Sequence, residues 1–297
     1  LYTENNAGAI VELGTNPSTI DINAGTVDGI TSLSTSTSGT SNFIAGVNAG
    51  NSITSGGNYN VVVGDEAGTA ITTGDNNVAI GYAAGDAITT ASNNTSVGYA
   101  SMGANTTGAG NTALGTDALT TNTTANENVA IGRSALKLNT TGASNCAVGY
   151  FALDANTTAS NNTAVGTKAL TANTTGASNT AVGYNAVAAN TTGIQNTSIG
   201  GFSLASNTTA AGNTAIGFGT LYTNTTGASN TAVGLNALNL STTASNNTAV
   251  GMSALIANTT GSENTAVGAL AGDAITTAPY NTAVGYSALS ANTTGDG

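Results

Sequence analysis

Hydrophobic and polar residues recur along this chain with a fixed period of 17 residues. Residues 162–178 show one copy: an asparagine, a short alternating stretch Thr-Ala-Val-Gly, an Ala-Leu pair, and then Asn-Thr-Thr. Counted from the glycine of the Val-Gly, Ile-Gly or Leu-Gly step, fourteen copies run from Gly64 to Gly285, and a looser copy has its glycine at Gly46. A fixed period of this size indicates a stacked repeat architecture.

The repeat predicts β structure. We number each copy from its asparagine, position 1, so that the glycine is at position 5. Seventeen residues are too few for a helix pair, and Asn, Thr and Gly are poor helix formers. The expected fold is therefore an all-β parallel β-solenoid, or β-roll, with one 17-residue coil per copy. Alternation over positions 2 to 6 places the aliphatic residue of position 4 on one face, expected to be the core, and the small residues of positions 3 and 5 on the other.

Positions 9 and 12 vary together. In three copies position 9 is glycine and position 12 is isoleucine: Gly68 with Ile71, Gly85 with Ile88, and Gly272 with Ile275. Where position 9 is leucine, position 12 is nearly always asparagine, as in Leu170 with Asn173. Duplication of a variant copy would explain this pattern. We favour a physical explanation, in which both side chains face the core and share one volume. Two large side chains would overpack that volume, and two small ones would leave a cavity.

Position 1 is asparagine in all fourteen copies. Asparagine tolerates turn conformations and bonds neighbouring backbone, and identical amides stacked coil on coil form ladders. The predicted structural ladder runs from Asn60 through Asn77, Asn94, Asn111, Asn128, Asn145, Asn162, Asn179, Asn196, Asn213, Asn230, Asn247, Asn264 and Asn281.

The predicted core is thin, which favours self-association. Each copy offers only about two large aliphatic side chains against the entropy of ordering the whole coil. A second buried surface would help, and the small residues at positions 3 and 5 could pack around a symmetry axis. We therefore expect a homo-oligomeric fibre.

Composition excludes several functions. The net charge is −11, and the only cations are Arg133, Lys137 and Lys168, so we expect no nucleic-acid binding. The chain has no histidine and no repeated carboxylate motif, so we expect no enzyme activity, no metal and no cofactor. No apolar run is long enough for membrane insertion. Cys146 is alone and allows no intrachain disulfide.

Three repeated features are candidates for binding or modification. Position 6 is often aromatic, and these rings could pack between chains, which we favour, or stack on sugars or receptors: Tyr82, Tyr99, Tyr150, Tyr184, Phe218 and Tyr286. A Thr-Thr pair occupies positions 13 and 14 throughout, so an ice-binding solenoid is an alternative, although only one threonine of each pair can point outward. Ten copies contain Asn-Thr-Thr, formally a glycosylation motif, which turn chemistry also explains.

The chain divides into two predicted regions. Residues 1–41 do not repeat and form a lead-in or linker with short strands around 11–14 and 20–23. Residues 42–297 form the solenoid array. We expect both regions to be a segment of a longer polypeptide whose neighbouring domains cover the solenoid ends.

The repeats resemble those of known fibres. The pattern Asn-Thr-Ala-Val-Gly-Tyr-x-Ala-Leu, and Asn-Asn-Val-Ala-Ile-Gly-Tyr at residues 76–82, resemble the head repeats of YadA-like trimeric autotransporter adhesins, and look still more like the repeat arrays of bacteriophage tail fibres. The resemblance implies a left-handed parallel β-roll with three chains around an axis. It also implies an extracellular location, in a virion tail fibre or on a bacterial surface.

The sequence thus predicts a non-enzymatic fibre segment that spaces or presents a host-attachment surface. Its expected partners are copies of itself, neighbouring fibre or virion proteins, and a glycan or protein of the host surface. A bacterial adhesin head and an ice-binding β-solenoid are the alternative functions.

Overall fold

The computed structural model describes residues 39–295, which contain β-strands and turns but no helix. Fifteen three-residue strands are present in this part of the chain: β1 (Phe43–Ala45), β2 (Val61–Val63), β3 (Val78–Ile80), β4 (Thr95–Val97), β5 (Thr112–Leu114), β6 (Val129–Ile131), β7 (Cys146–Val148), β8 (Thr163–Val165), β9 (Thr180–Val182), β10 (Thr197–Ile199), β11 (Thr214–Ile216), β12 (Thr231–Val233), β13 (Thr248–Val250), β14 (Thr265–Val267) and β15 (Thr282–Val284). They form one parallel sheet in chain order. The predicted all-β parallel solenoid with 17-residue coils is confirmed, whereas the strands expected around 11–14 and 20–23 lie outside the described residues.

Backbone hydrogen bonds join neighbouring coils around the turns as well as along the sheet. Gly166 N donates to Val148 O of the preceding coil at 2.7 Å, and Leu170 N donates to Ala186 O of the following coil at 3.0 Å. Because each coil is bonded to both neighbours at several points, the short strands do not have to hold the stack together alone.

The sheet faces the core with its small residues. Ala164 at position 3 is fully buried, whereas Val165 at position 4 is 36% exposed and Leu114, at the same position, is 46% exposed. The expectation that position 4 fills the core, and that position 3 forms a surface for self-association, is therefore wrong. The interior is narrow and is already filled from the opposite wall, so alanine or serine is nearly always the residue that fits opposite it.

The glycine at position 5 is required by the closeness of adjacent coils. Gly183 has φ of +138°, and a Cβ added to it would lie 2.6 Å from the carbonyl carbon and oxygen of Gly200 in the next coil. No side chain fits between two backbones at that distance, and the conformation also favours glycine.

The opposite wall of the core contains the residues of positions 9 and 12. A Cβ added to Gly85 would lie 2.8 Å from Ile88 Cδ1. In the other kind of coil, Leu170 and Asn173 are both fully buried. The predicted sharing of one core volume by these two positions is confirmed.

Candidate functional surfaces

The asparagines of position 1 lie inside the solenoid and bond to one another. Asn179 N donates to Asn162 Oδ1 at 2.9 Å, and its Nδ2 donates to the same oxygen at 3.3 Å and to Gly193 O at 2.8 Å. All fourteen members, from Asn60 to Asn281, are at most 3% exposed. This column stabilises the stack from within and presents nothing to a ligand.

Position 12 contains a second buried amide ladder that the sequence analysis did not predict. Asn122 Nδ2 donates to Asn105 Oδ1 at 2.8 Å and to Ala125 O at 3.0 Å. The position 1 residue of the same coil, Asn111, donates to that same carbonyl at 2.9 Å. The two ladders therefore meet at the carbonyl of position 15.

This second ladder also shows whether the Asn-Thr-Thr motifs are accessible to glycosylation. Their asparagines are the residues of position 12, and those from Asn105 to Asn258 are fully buried. Their Nδ2 atoms donate hydrogen bonds to the backbone, as Asn173 does to Gly176 O at 2.9 Å. In the folded protein these amides are closed to modification.

The outer face of the sheet is an aliphatic stripe along the whole array. Position 4 is valine, isoleucine or leucine in all fourteen copies, and neither it nor position 2 carries a charged residue in any copy. Ile199 is 43% exposed, and Val284, in the last strand, is 70% exposed. We call positions 2 and 4 together the outer sheet face. Position 2 is threonine in ten of the fourteen copies, so the apolar surface is a single row of position 4 side chains. A row of partly exposed aliphatic side chains is a candidate interaction site.

The aromatic residues of position 6 are exposed beside this face: Tyr82 53%, Tyr99 56%, Tyr150 42%, Tyr184 50%, Phe218 57% and Tyr286 77%. They form separate groups instead of one continuous row. Tyr82 and Tyr99 stack with ring centroids 5.6 Å apart. Tyr150 meets Phe151 edge-on at 4.3 Å, with the Arg133 guanidinium 5.8 Å from its ring centroid. The rings thus pack within one chain before any partner is added.

Tyr184 and Phe218 belong to a third aromatic group, centred on a ring that does not occupy position 6. Phe202, at position 7 of the intervening coil, packs edge-on against Tyr184 at 5.1 Å and against Phe218 at 5.8 Å.

The threonine pairs present one outward column. At position 13, Thr174 donates from both N and Oγ1 to Thr191 O of the next coil, at 3.0 and 3.1 Å, and this column is half-buried in all but the last coil. Position 14 is exposed in all fourteen copies. The sequence analysis expected one threonine of each pair to point outward, and this is observed. The cause is different from the one expected, because the pair lies in a turn and not in a strand.

Charged groups are sparse and separate. Lys137 Nζ lies 3.4 Å from Asp117 Oδ2, and both side chains are partly exposed. Burial raises the pKa of Asp86, whose Oδ1 is buried without a hydrogen-bond partner. Over residues 39–295, no three His, Cys, Asp or Glu side chains are grouped to hold a metal ion, and no helix could cross a membrane.

Similarity to known proteins assigns no function here, because comparison with protein-family models, curated proteins and solved structures found no match to this chain. Three surfaces of the described array differ from an ordinary polar exterior. They are the outer sheet face, the aromatic groups beside it, and the threonine column.

Proposed function

We propose that this chain is a structural segment of a homotrimeric extracellular fibre, of the phage tail-fibre kind, that spaces or presents an attachment surface. The outer sheet face is the observation that carries this proposal. It is aliphatic at position 4 in every copy and uncharged throughout, although the chain as a whole carries a net charge of −11.

The period of the outer sheet face favours a second copy of this chain as its partner. A partner can match each exposed aliphatic residue only if its own residues repeat at the same coil spacing, about 4.8 Å. Another copy meets that condition along the whole array. The absence of charge at positions 2 and 4 lets acidic chains approach each other here with little repulsion. The number three comes from the resemblance to trimeric adhesin heads, and rotational symmetry closes such an assembly.

The solenoid suits a mechanical role. Its fifteen strands, at about 4.8 Å per coil, make an array on the order of 70 Å long. Backbone bonds and two buried amide ladders link successive coils, so the array resists bending as well as extension.

Sedimentation equilibrium of the whole chain tests the proposal. We expect a mass about three times 28.4 kDa. Val165→Glu combined with Ile199→Glu places two charges on the outer sheet face and should dissociate the assembly, because burying an unpaired charge is costly. The matched control is Thr175→Glu combined with Thr209→Glu, which adds the same charges to the same two coils on the exposed threonine column. A monomeric parent chain, or a trimer that survives the outer-face change, would contradict the proposal.

Two alternatives keep specific support. A bacterial adhesin head would use the same trimeric array, and an outer-membrane anchor domain in the same polypeptide would identify it as one. An ice-binding solenoid is favoured only by the exposed threonine column of position 14. Against it, the neighbouring threonines of position 13 are half-buried and bonded to the next coil, so the column is single. Thermal hysteresis of the purified chain, lost on replacing outward threonines with bulkier residues, would establish that activity.

A further inference from the structure

One region breaks the regularity of the exterior and opens a cleft. The cleft measures about 350 Å³ and is lined by Phe202, Phe218, Gly219, Tyr222, Asn236 and Asn239. These residues come from three successive coils, at positions 6, 7 and 10 of the repeat. The cleft therefore lies beside the outer sheet face and shares none of the residues of positions 2 and 4.

Two glycines make room for the cleft. A Cβ added to Gly201, at position 6, would lie 3.3 Å from Phe218 Cδ2, so the ring of Phe218 lies over this glycine. A Cβ added to Gly219, at position 7, would lie 2.6 Å from Asn236 Oδ1. Side chains at these two positions would push the aromatic ring and the amide aside.

Three rings form the apolar part of the cleft. Phe202 packs edge-on against Phe218 at 5.8 Å and against Tyr222 at 6.3 Å. Phe218 and Tyr222 remain 57% and 41% exposed, because edge-on packing leaves ring surface uncovered.

Two carboxamides form the polar part. Asn239 Nδ2 donates to Gly219 O at 2.7 Å, which fixes this side chain against the cleft floor. Asn239 Oδ1 and the side-chain amide of Asn236 make no hydrogen bond within residues 39–295. Together they offer acceptors and donors beside the rings.

We propose that this cleft binds a neutral sugar, of monosaccharide or disaccharide size. The C–H face of a pyranose ring packs on exposed aromatic surface, and its hydroxyls both donate to and accept from carboxamides. No charged residue lines the cleft, which disfavours phosphorylated or acidic ligands. The cleft is small and open to solvent, so it accommodates a ligand of one or two rings that stays partly exposed.

Saturation-transfer NMR on the whole chain tests this proposal, with glucose, galactose, mannose, N-acetylglucosamine and their disaccharides as probes. We expect transfer to at least one of them, with a Kd of about 1 mM. Phe218→Ala and Asn236→Ala, which change two different walls, should each weaken binding about fivefold or more. Both side chains are outside the core, so the variants should stay folded, which circular dichroism checks.

Tyr82→Ala is the matched control, because Tyr82 is an equally exposed aromatic at position 6, in a stacked pair remote from the cleft. It should leave sugar binding unchanged. Absence of transfer to every probe would overturn the proposal. So would binding that survives both cleft changes, or binding that Tyr82→Ala weakens as much as Phe218→Ala does. None of these outcomes bears on the mass of the assembly, which tests the fibre proposal separately.

Discussion

Two kinds of coil fill the same interior in different ways. In the first kind, represented by Gly85 and Ile88, the isoleucine of position 12 occupies the volume beside a bare backbone at position 9. In the second kind, represented by Leu170 and Asn173, leucine fills that volume from position 9 and a small amide replaces the isoleucine. The first two coils add a larger residue at position 3: Ile44 Cδ1 would lie 2.9 Å from a Cβ on Gly50, and Val62 Cγ1 would lie 3.2 Å from one on Gly68.

The difference between the coils matters where one kind meets the other. In the second kind each amide donates to the preceding coil, so every oxygen needs a donor from the following coil. A ladder can therefore begin after an isoleucine without loss, as at Asn105, whose Nδ2 bonds Gly108 O at 2.8 Å and whose Oδ1 accepts from Asn122. A ladder that ends before an isoleucine leaves one amide oxygen unpaired. Asn258 shows this, because it precedes Ile275 and its Oδ1 is buried without a partner. The order of the two coil types along the chain therefore affects stability: a change from isoleucine to asparagine at position 12 leaves no oxygen unpaired, and the reverse change leaves one.

The largest expected effect comes from filling the shared volume twice. Gly85→Leu should destabilise the array by about 3 kcal/mol, because even its Cβ would lie 2.8 Å from Ile88 Cδ1. The backbone itself accepts the change, since Gly85 has φ of +57° and Leu170 at the equivalent position has φ of +51°. Urea unfolding followed by circular dichroism measures the loss.

The double change Gly85→Leu with Ile88→Asn converts this coil into the second kind and provides the control. It removes the overlap, and the new asparagine would precede Asn105, whose Nδ2 could then donate to it. Because a ladder can begin after an isoleucine, the preceding Ile71 creates no unpaired oxygen. Most of the lost stability should return. If the double variant is as unstable as Gly85→Leu alone, positions 9 and 12 do not share one volume.

A smaller, stabilising effect is expected at a gap inside the second ladder. Position 12 is serine at Ser241, and both Asn224 Oδ1 in the preceding coil and Ser241 Oγ are buried without partners. Ser241→Asn should supply the donor that Asn224 Oδ1 lacks, and a new acceptor for Asn258 Nδ2. We expect a gain of about 1 kcal/mol in the free energy of unfolding, again from urea titration.

Ser253→Asn is the control for that prediction. Position 7 already carries asparagine in other coils, as at Asn236, and it lies outside the buried ladder. Its effect should stay within about 0.5 kcal/mol. A gain at Ser253 equal to that at Ser241, or a loss at Ser241, would show that the ladder gap is not what limits stability there.

The period and the coil type could be predicted from the sequence, because a 17-residue repeat rich in Asn, Thr and Gly is compatible with few other folds. The orientation of the sheet could not. Alternation separates Ala164 from Val165 but does not say which is inside, and the larger residue was the natural choice for a core. Only the volume already taken from the opposite wall by Leu170 and its equivalents decides that alanine faces inward.

Other features were present in the sequence but needed the stacked geometry to be recognised. Serine at position 3 occurs only where position 8 is also serine, and Ser96 Oγ lies 2.6 Å from Ser101 Oγ in the core. The cleft is even harder to recognise from the sequence. Its aromatic residues occupy positions 6, 7 and 10 in different coils, so a comparison of one repeat position at a time, which found Phe218, does not bring Phe202 and Tyr222 together.

The smallest expected effect is at an acid that follows the position 9 glycine in two coils of the first kind. Asp86 follows Gly85, as Asp273 follows Gly272, and each has a buried Oδ1 without a partner. Burial raises the pKa of Asp86, the charge of Glu66 adds to that rise, and the backbone N–H groups of Asp86 and Ala87 partly oppose it. A raised pKa in the folded state means that folding favours the protonated carboxyl. Its contribution to stability therefore falls as the pH rises from the unfolded value, about 3.9, through the folded pKa.

Asp86→Asn should be more stable than the parent chain at pH 7, by less than about 0.5 kcal/mol because the group is partly screened by solvent. The difference should vanish as the pH is lowered to the unfolded value. Urea midpoints at pH 7 and at about pH 3.5 measure it. Glu263→Gln, which removes one negative charge at an exposed site, is the control. A gain at Asp86 that is independent of pH would mean that the amide adds a hydrogen bond, and not that the buried charge is unfavourable.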